Sequence, residues 1–131
     1  MTIKNSERKT ILVAEDDESI ASVLIQILSL EFYNVDRVAS GRKAIEALDF
    51  GGINLALLDI NMPDISGIGV VQHMKSIPHM RKIPIIMITG QLDAQSVLRC
   101  KQLGVNDYLS KPFKISTLLE RVKMALEEAA K

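Results

Sequence analysis

Residues 11–28 read ILVAEDDESIASVLIQIL, and a change of period inside this stretch decides the fold. Ile11-Leu12-Val13-Ala14 is apolar throughout and rich in β-branched residues, the mark of a strand buried on both faces. Four acids follow, Glu15 to Glu18. Beyond them, Ile20, Val23, Leu24, Ile27 and Leu28 recur at helical spacing and predict one apolar stripe. A doubly buried strand that passes through a short polar loop into an amphipathic helix is the first half of a parallel strand–helix–strand unit.

The same alternation continues along the chain. Asn34 to Val38 reads as a second strand, polar enough to lie at a sheet edge. Ser40-Gly41 opens a short helix with Ala44, Ala47 and Leu48 inward, and Gly51-Gly52 ends it. Leu55 to Leu58 is a third strand. A loop with Pro63 leads to a helix from about Ser66 to Ser76. Pro84 stands at the start of a fourth strand, Ile85 to Ile88, where proline is tolerated. Ala94 to Leu103 predicts a fourth helix stopped by Gly104. Tyr108-Leu109 is a short fifth strand, and Ile115, Leu118, Leu119, Val122 and Leu126 form the stripe of a last helix. Five strand–helix repeats predict an α/β domain with a doubly wound five-stranded parallel sheet. Right-handed crossovers leave few topologies. One is the order 2-1-3-4-5, whose ligand site lies beyond the carboxyl ends of strands 1 and 3.

Composition bounds the rest. The chain has 131 residues, enough for one domain, which we assign to residues 10–130 behind a short mobile arm, residues 1–9. It is 47% hydrophobic and 24% charged, and 16 Lys plus Arg balance 16 Asp plus Glu. No global field therefore draws it to nucleic acid or an anionic membrane. The apolar runs are too short to span a bilayer, and the polar start lacks the apolar core of a signal peptide. A lone cysteine, Cys100, excludes an internal disulfide and fits a cytoplasmic location.

The predicted topology brings four strand ends to one edge: Glu15-Asp16-Asp17-Glu18, Asp59, Thr89-Gly90 and Ser110-Lys111-Pro112. Carboxylates packed there repel; unit charges about 4 Å apart interact by about 4 kcal/mol at an effective dielectric near 20. Either one carboxyl stays protonated or a cation enters. Oxygen ligands at loop ends suit a hard cation such as Mg²⁺. Lys111 adds a second positive point for an approaching phosphoryl group, and Thr89 adds a hydroxyl donor. An ionised aspartate beside them can attack phosphorus.

The segments ILVAEDD (11–17), LLDINMPDISG (57–67), IMITG (86–90) and DYLSKPF (107–113) resemble the motifs of response regulator receivers, in the family's order and spacing. The resemblance spans nearly the whole chain beyond the arm. It implies the flavodoxin-like (βα)5 fold and a phospho-switch rather than a turnover enzyme. On this resemblance Asp59 is the phosphoacceptor, and Thr89 and Lys111 bind the phosphoryl oxygens. Glu15, Asp16 and Asp59 hold the metal together with the backbone carbonyl of Asn61. The metal is Mg²⁺, with Mn²⁺ as a substitute. Tyr108, Thr89, Gly90 and Gln91 make the switch, and Lys111–Pro112 carries a cis peptide bond. Asn61 and Gln91 tune phosphoryl lifetime. The implied partners are a histidine kinase or histidine phosphotransfer protein and a downstream protein. The latter reads the face made by the fourth helix, fifth strand and fifth helix. No nucleic acid or membrane is implied, and the chain is expected as a monomer or a weak phosphorylation-dependent dimer. It is expected to act as a stand-alone regulator, the alternative being a receiver cut from a larger regulator or hybrid kinase. Two residues depart from the commonest pattern: Glu15 where Asp is usual, and Gly90 where Ala is usual.

Two other functions fit the sequence less well. A haloacid-dehalogenase-type phosphatase needs an acid two positions beyond the nucleophile, where this chain has Asn61. A flavodoxin-like cofactor binder needs a glycine- and hydroxyl-rich loop after strand 1, where this chain is acidic. Blander roles are expected elsewhere. Asp17 and Glu18 are first-turn acids favoured by the helix dipole. Asp64 is a turn residue, and His73 and His79 are surface residues without carboxylate partners at ligand spacing. Met62, Met74, Met80, Met87 and Cys100 are packing residues, and Gly67 allows close backbone approach.

Overall fold

The computed structural model describes residues 7–90 and 93–131. Five parallel strands form one sheet in the order β2-β1-β3-β4-β5. Along the chain they run β1 (Thr10–Ala14), α1 (Glu18–Leu30), β2 (Asn34–Val38), α2 (Gly41–Phe50) and β3 (Leu55–Leu58). Then come α3 (Gly67–Ser76), a 3₁₀ turn (Pro78–Met80), β4 (Ile85–Thr89), α4 (Ala94–Leu103), β5 (Asp107–Ser110) and α5 (Ile115–Ala129).

Alternation along the inner strands divides the core in two. Ile11, Val13, Leu55, Leu57, Ile86 and Ile88 point to the side covered by α1 and α5, meeting Leu24, Leu28, Leu118 and Val122. Leu12, Ala14, Ala56, Leu58, Ile85 and Met87 point to the opposite side, against Ala44, Leu48, Val70, Met74 and Cys100 of α2, α3 and α4. This is why the inner strands read as unbroken apolar runs. β2 is an edge and only half-buried.

Local chemistry starts most of the helices. Asp17, Ser40, Ser66 and Asp93 each cap a helix by accepting from a backbone N–H three residues on. Asp17 is thus a capping residue and not only a dipole partner. Gly104 ends α4 in the left-handed conformation, φ 80°.

The helical stripes are wider than the surface that the sheet covers. Val23 and Ile115, expected inward, are 46% and 54% exposed. They line a surface groove of about 580 Å³ with Ile20, Pro112 and Phe113. It lies between the first turns of α1 and α5, where the loop after β5 stands between the helices. No helix among the described residues is long and apolar enough to cross a membrane.

Candidate functional site

The register brings the ends of β1 and β3 level, while β4 and β5 run two residues further. Ala14 pairs with Leu58, Leu58 with Met87, and Thr89 with Ser110. Glu15 and Asp59 therefore leave the sheet side by side, and Lys111, beyond β4 at the end of β5, reaches back to them with its side chain. The backbone keeps pairing as they do so: Asp59 N–H donates to Ala14 O (3.0 Å), and Lys111 N–H to Thr89 O (3.0 Å). The Lys111–Pro112 peptide is cis, as the resemblance implies.

Glu15 and Asp59 are buried and Asp16 is exposed. One oxygen from each of the three lies within 4.8 Å of the others. The Lys111 ammonium sits among them, 2.5 Å from Glu15 Oε1 and 2.7 Å from Asp59 Oδ2. Asp59 Oδ1 accepts from the Asn61 N–H at 3.2 Å, and Glu15 Oε2 from the Asp17 N–H at 3.2 Å.

One ammonium is thus shared by two buried carboxylates with a third beside them. Burial pushes the Glu15 carboxyl up, and the Asp59 charge adds to the rise, against the hydrogen bonds from Lys111 and Asp17. Burial acts to lower Lys111, but its contacts with Asp59 and Glu15 outweigh it and the net movement is upward. The lysine stays charged, and the cluster still carries excess negative charge. An all-oxygen set of this kind fits a hard divalent cation. Glu15, Asp16 and Asp59 would hold it; the Asn61 carbonyl belongs to the same loop.

The other expected residues fall around this centre. Thr89 is fully buried at the end of β4, and Gly90 beside it is exposed. Tyr108 is half-buried on β5, level with Met87 and packed against the core under α2–α4. Gln91 lies outside the described residues. Asn61, at the position where a phosphatase would carry its acid, is exposed.

Several supports surround this centre, and of these the sequence pointed to the close backbone approach at Gly67. Gly67 starts α3 hard against the Asp59 carbonyl, and a Cβ there would overlap that oxygen. Its own N–H donates to Ile60 O (2.8 Å), which ties α3 to the loop after β3. Gly41 packs equally closely on the Ile65 carbonyl. Asp64, at φ 61°, accepts from the Arg42 N–H (2.9 Å) and so pins α2 to that same loop. Arg37 donates from Nε and Nη2 to the Glu15 carbonyl, at 3.1 and 2.8 Å. A lone cation next to last in an edge strand was its sequence signal. His73 has a carboxylate partner after all: Asp49, 24 residues away, stands 3.0 Å from its Nε2 because α2 and α3 are neighbours.

Known proteins carry the same pattern. The profile of the family described as "Response regulator receiver domain" matches residues 11–123. The uncharacterized transcriptional regulatory protein YkoG of Bacillus subtilis is 34% identical over 122 residues, 93% of this chain and 53% of that protein. The chain spans about half the length of such curated relatives. A CheY-like response regulator receiver domain protein from Methanospirillum hungatei superposes with a TM-score of 0.87 at 30% identity, covering 94% of this chain and 97% of that one. The receiver domain of a Pseudomonas aeruginosa sensor histidine kinase, solved with a magnesium ion coordinated in its active-site cleft, gives 0.85 at 28% identity over 92% of this chain and 98% of that one. The family match over most of the chain, the strand order and the acid–lysine cluster at the sheet's carboxyl edge agree, and the chain belongs to the response regulator receiver domain family.

Proposed function

We propose that Asp59 accepts a phosphoryl group from a phosphohistidine of a partner kinase or phosphotransfer protein. Asp59 Oδ attacks phosphorus, the phosphorus–nitrogen bond breaks, and its electron pair leaves with the imidazole, which then takes a proton. The observation that carries this reading is the Lys111 ammonium on Asp59 Oδ2 (2.7 Å) inside a trio of acids. An ammonium so held can turn from carboxylate to phosphoryl oxygens without leaving the site. A divalent cation, Mg²⁺ or in its place Mn²⁺, supplies the remaining charge neutralisation when bound by Glu15, Asp16, Asp59 and the Asn61 carbonyl.

Thr89 then receives a phosphoryl oxygen at the end of β4. Gly90 and Gln91 adjust, and Tyr108 turns further into the core, so that the α4-β5-α5 face changes its affinity for a downstream protein. Asn61 offers no carboxylic acid to protonate a leaving group, which favours a held signal over turnover of outside substrates. Residues 10–130 form the switch. It acts in the cytoplasm, as a monomer or a weak phosphorylation-dependent dimer, without contacting nucleic acid or membrane.

The test is incubation with Mg²⁺ and a small acyl phosphate, followed by intact mass and acid–base stability of the adduct. One acid-stable, base-labile phosphoryl group is expected on the unaltered protein, and none on Asp59→Asn or in chelator. An adduct that persists in both controls overturns the assignment.

A further inference from the structure

Asp16 is the exposed member of the acid trio, and no hydrogen bond among the described residues fixes its carboxylate. Its direction must come from the backbone that carries it. The peptide plane between Glu15 and Asp16 is held from outside the loop by Arg37, which lies next to last in β2 and is paired with Val13. Arg37 Nε and Nη2 both donate to the Glu15 carbonyl, at 3.1 and 2.8 Å. The third donor, Nη1, takes Glu18 Oε1 at 3.0 Å. The Arg37 side chain is 20% exposed while the Glu18 side chain is 85% exposed, so the acid comes to the guanidinium and not the reverse. A second tie acts on the same loop, since the Glu15 N–H donates to the Val38 carbonyl at 3.0 Å.

We propose that Arg37 is a positioning residue for the cation ligands: its forked grip on the Glu15 carbonyl sets the plane from which Asp16 projects, while its outer nitrogen holds Glu18 away from the trio. The inference rests on the cation site proposed above. Two consequences of Arg37 have opposite sign. A guanidinium near a cation site repels the cation, so charge alone makes its removal tighten Mg²⁺ binding. Loss of the grip frees the peptide plane and loosens binding; outer-sphere supports of metal ligands typically change affinity 10- to 100-fold. Glu18 offsets much of the guanidinium charge, and salt screens what is left. Orientation therefore outweighs repulsion.

The experiment is a Mg²⁺ titration followed by backbone amide NMR shifts, with Tm measured on each protein. The set is the unaltered chain, Arg37→Met, Arg37→Lys, Glu18→Gln and Asp16→Asn. Arg37→Met is expected to raise the Mg²⁺ dissociation constant about tenfold, although it removes a positive charge. Arg37→Lys keeps the charge but has one nitrogen, which cannot span the Glu15 carbonyl and the Glu18 carboxylate, and restores only part of the affinity. It carries the comparison alone if Arg37→Met does not fold. Glu18→Gln, which leaves the grip on Glu15 in place, is expected to change affinity least. An unchanged or tighter constant in Arg37→Met, or full affinity in Arg37→Lys, overturns the proposal; a lower Tm with an unchanged constant also overturns it, by making Arg37 structural only. Absence of Mg²⁺ binding by the unaltered chain, or full binding by Asp16→Asn, would instead overturn the cation site itself.

Discussion

Gly67 and Gly90 flank the same site and answer to different constraints. A Cβ at Gly67 would overlap the Asp59 carbonyl, which is backbone and cannot turn aside. Alanine in a helix is ordinarily favoured over glycine by about 1 kcal/mol. Overpacking against fixed atoms costs about 1–3 kcal/mol and is the larger effect. Gly67→Ala should therefore lower stability in urea unfolding by about 1–2 kcal/mol. At Gly90 a Cβ meets nothing within 4 Å among the described residues. Gly90→Ala should be neutral, or stabilising by up to about 1 kcal/mol through the lost freedom of the unfolded chain. Equal effects at the two positions would contradict both assignments. The identity of Asp59, Lys111 and the acids is written in the sequence; the crowding that demands Gly67 appears once α3 is folded back onto the end of β3.

At the scale of elements, the loop after β3 is held by neighbours distant in sequence. Asp64 fixes the start of α2, and its carboxyl lies below its ordinary range because the Arg42 N–H, with help from Ile65 and Ser40, donates to the ionised form. A carboxyl lowered in this way stabilises the fold while ionised, above its unfolded value, and the contribution is lost as pH falls through the folded value. Asp64→Asn keeps the left-handed backbone accessible but not the charge. It should unfold at a lower Tm than the unaltered chain at pH 7. The gap should close on acidification below the ordinary value of 3.8, read by circular dichroism melts. A gap independent of pH would exclude the charge as its source. Asparagines do related work at the other end of the sheet. Asn54 Oδ1 accepts from the Thr10 N–H and Asn106 Oδ1 from the Ile85 N–H, both at 2.8 Å, so each extends the ladder by one side-chain bond. Nothing in their spacing announces this.

For the whole molecule, the apolar sheet ends where the charged site begins. β1, β3 and β4 are buried on both faces, while the acids and Lys111 sit on loops just beyond them. Electrostatic repulsion in that cluster acts against the folded state, and a bound cation should relieve it. With Mg²⁺ at ten times its dissociation constant, linkage adds about 1.4 kcal/mol, a rise in Tm of about 5 °C for a domain of this size. Asp16→Asn should remove most of that rise without loss of the fold, since Asp16 is exposed. An equal Mg²⁺ response in the variant would place the ion elsewhere.

The sequence by itself determined the alternation of strand and helix, the parallel sheet and the identity of the acids at its carboxyl edge. Each rests on local periodicity or on residue chemistry, and both survive being read one residue at a time. Tertiary structure decided how much of each helical stripe is covered, and so left Val23 and Ile115 outside. It alone paired His73 with Asp49, set Gly67 against Asp59 and carried Arg37 across to the Glu15 carbonyl. Those contacts join residues tens of positions apart or depend on the exact approach of two backbones, and no local pattern encodes a distance between elements.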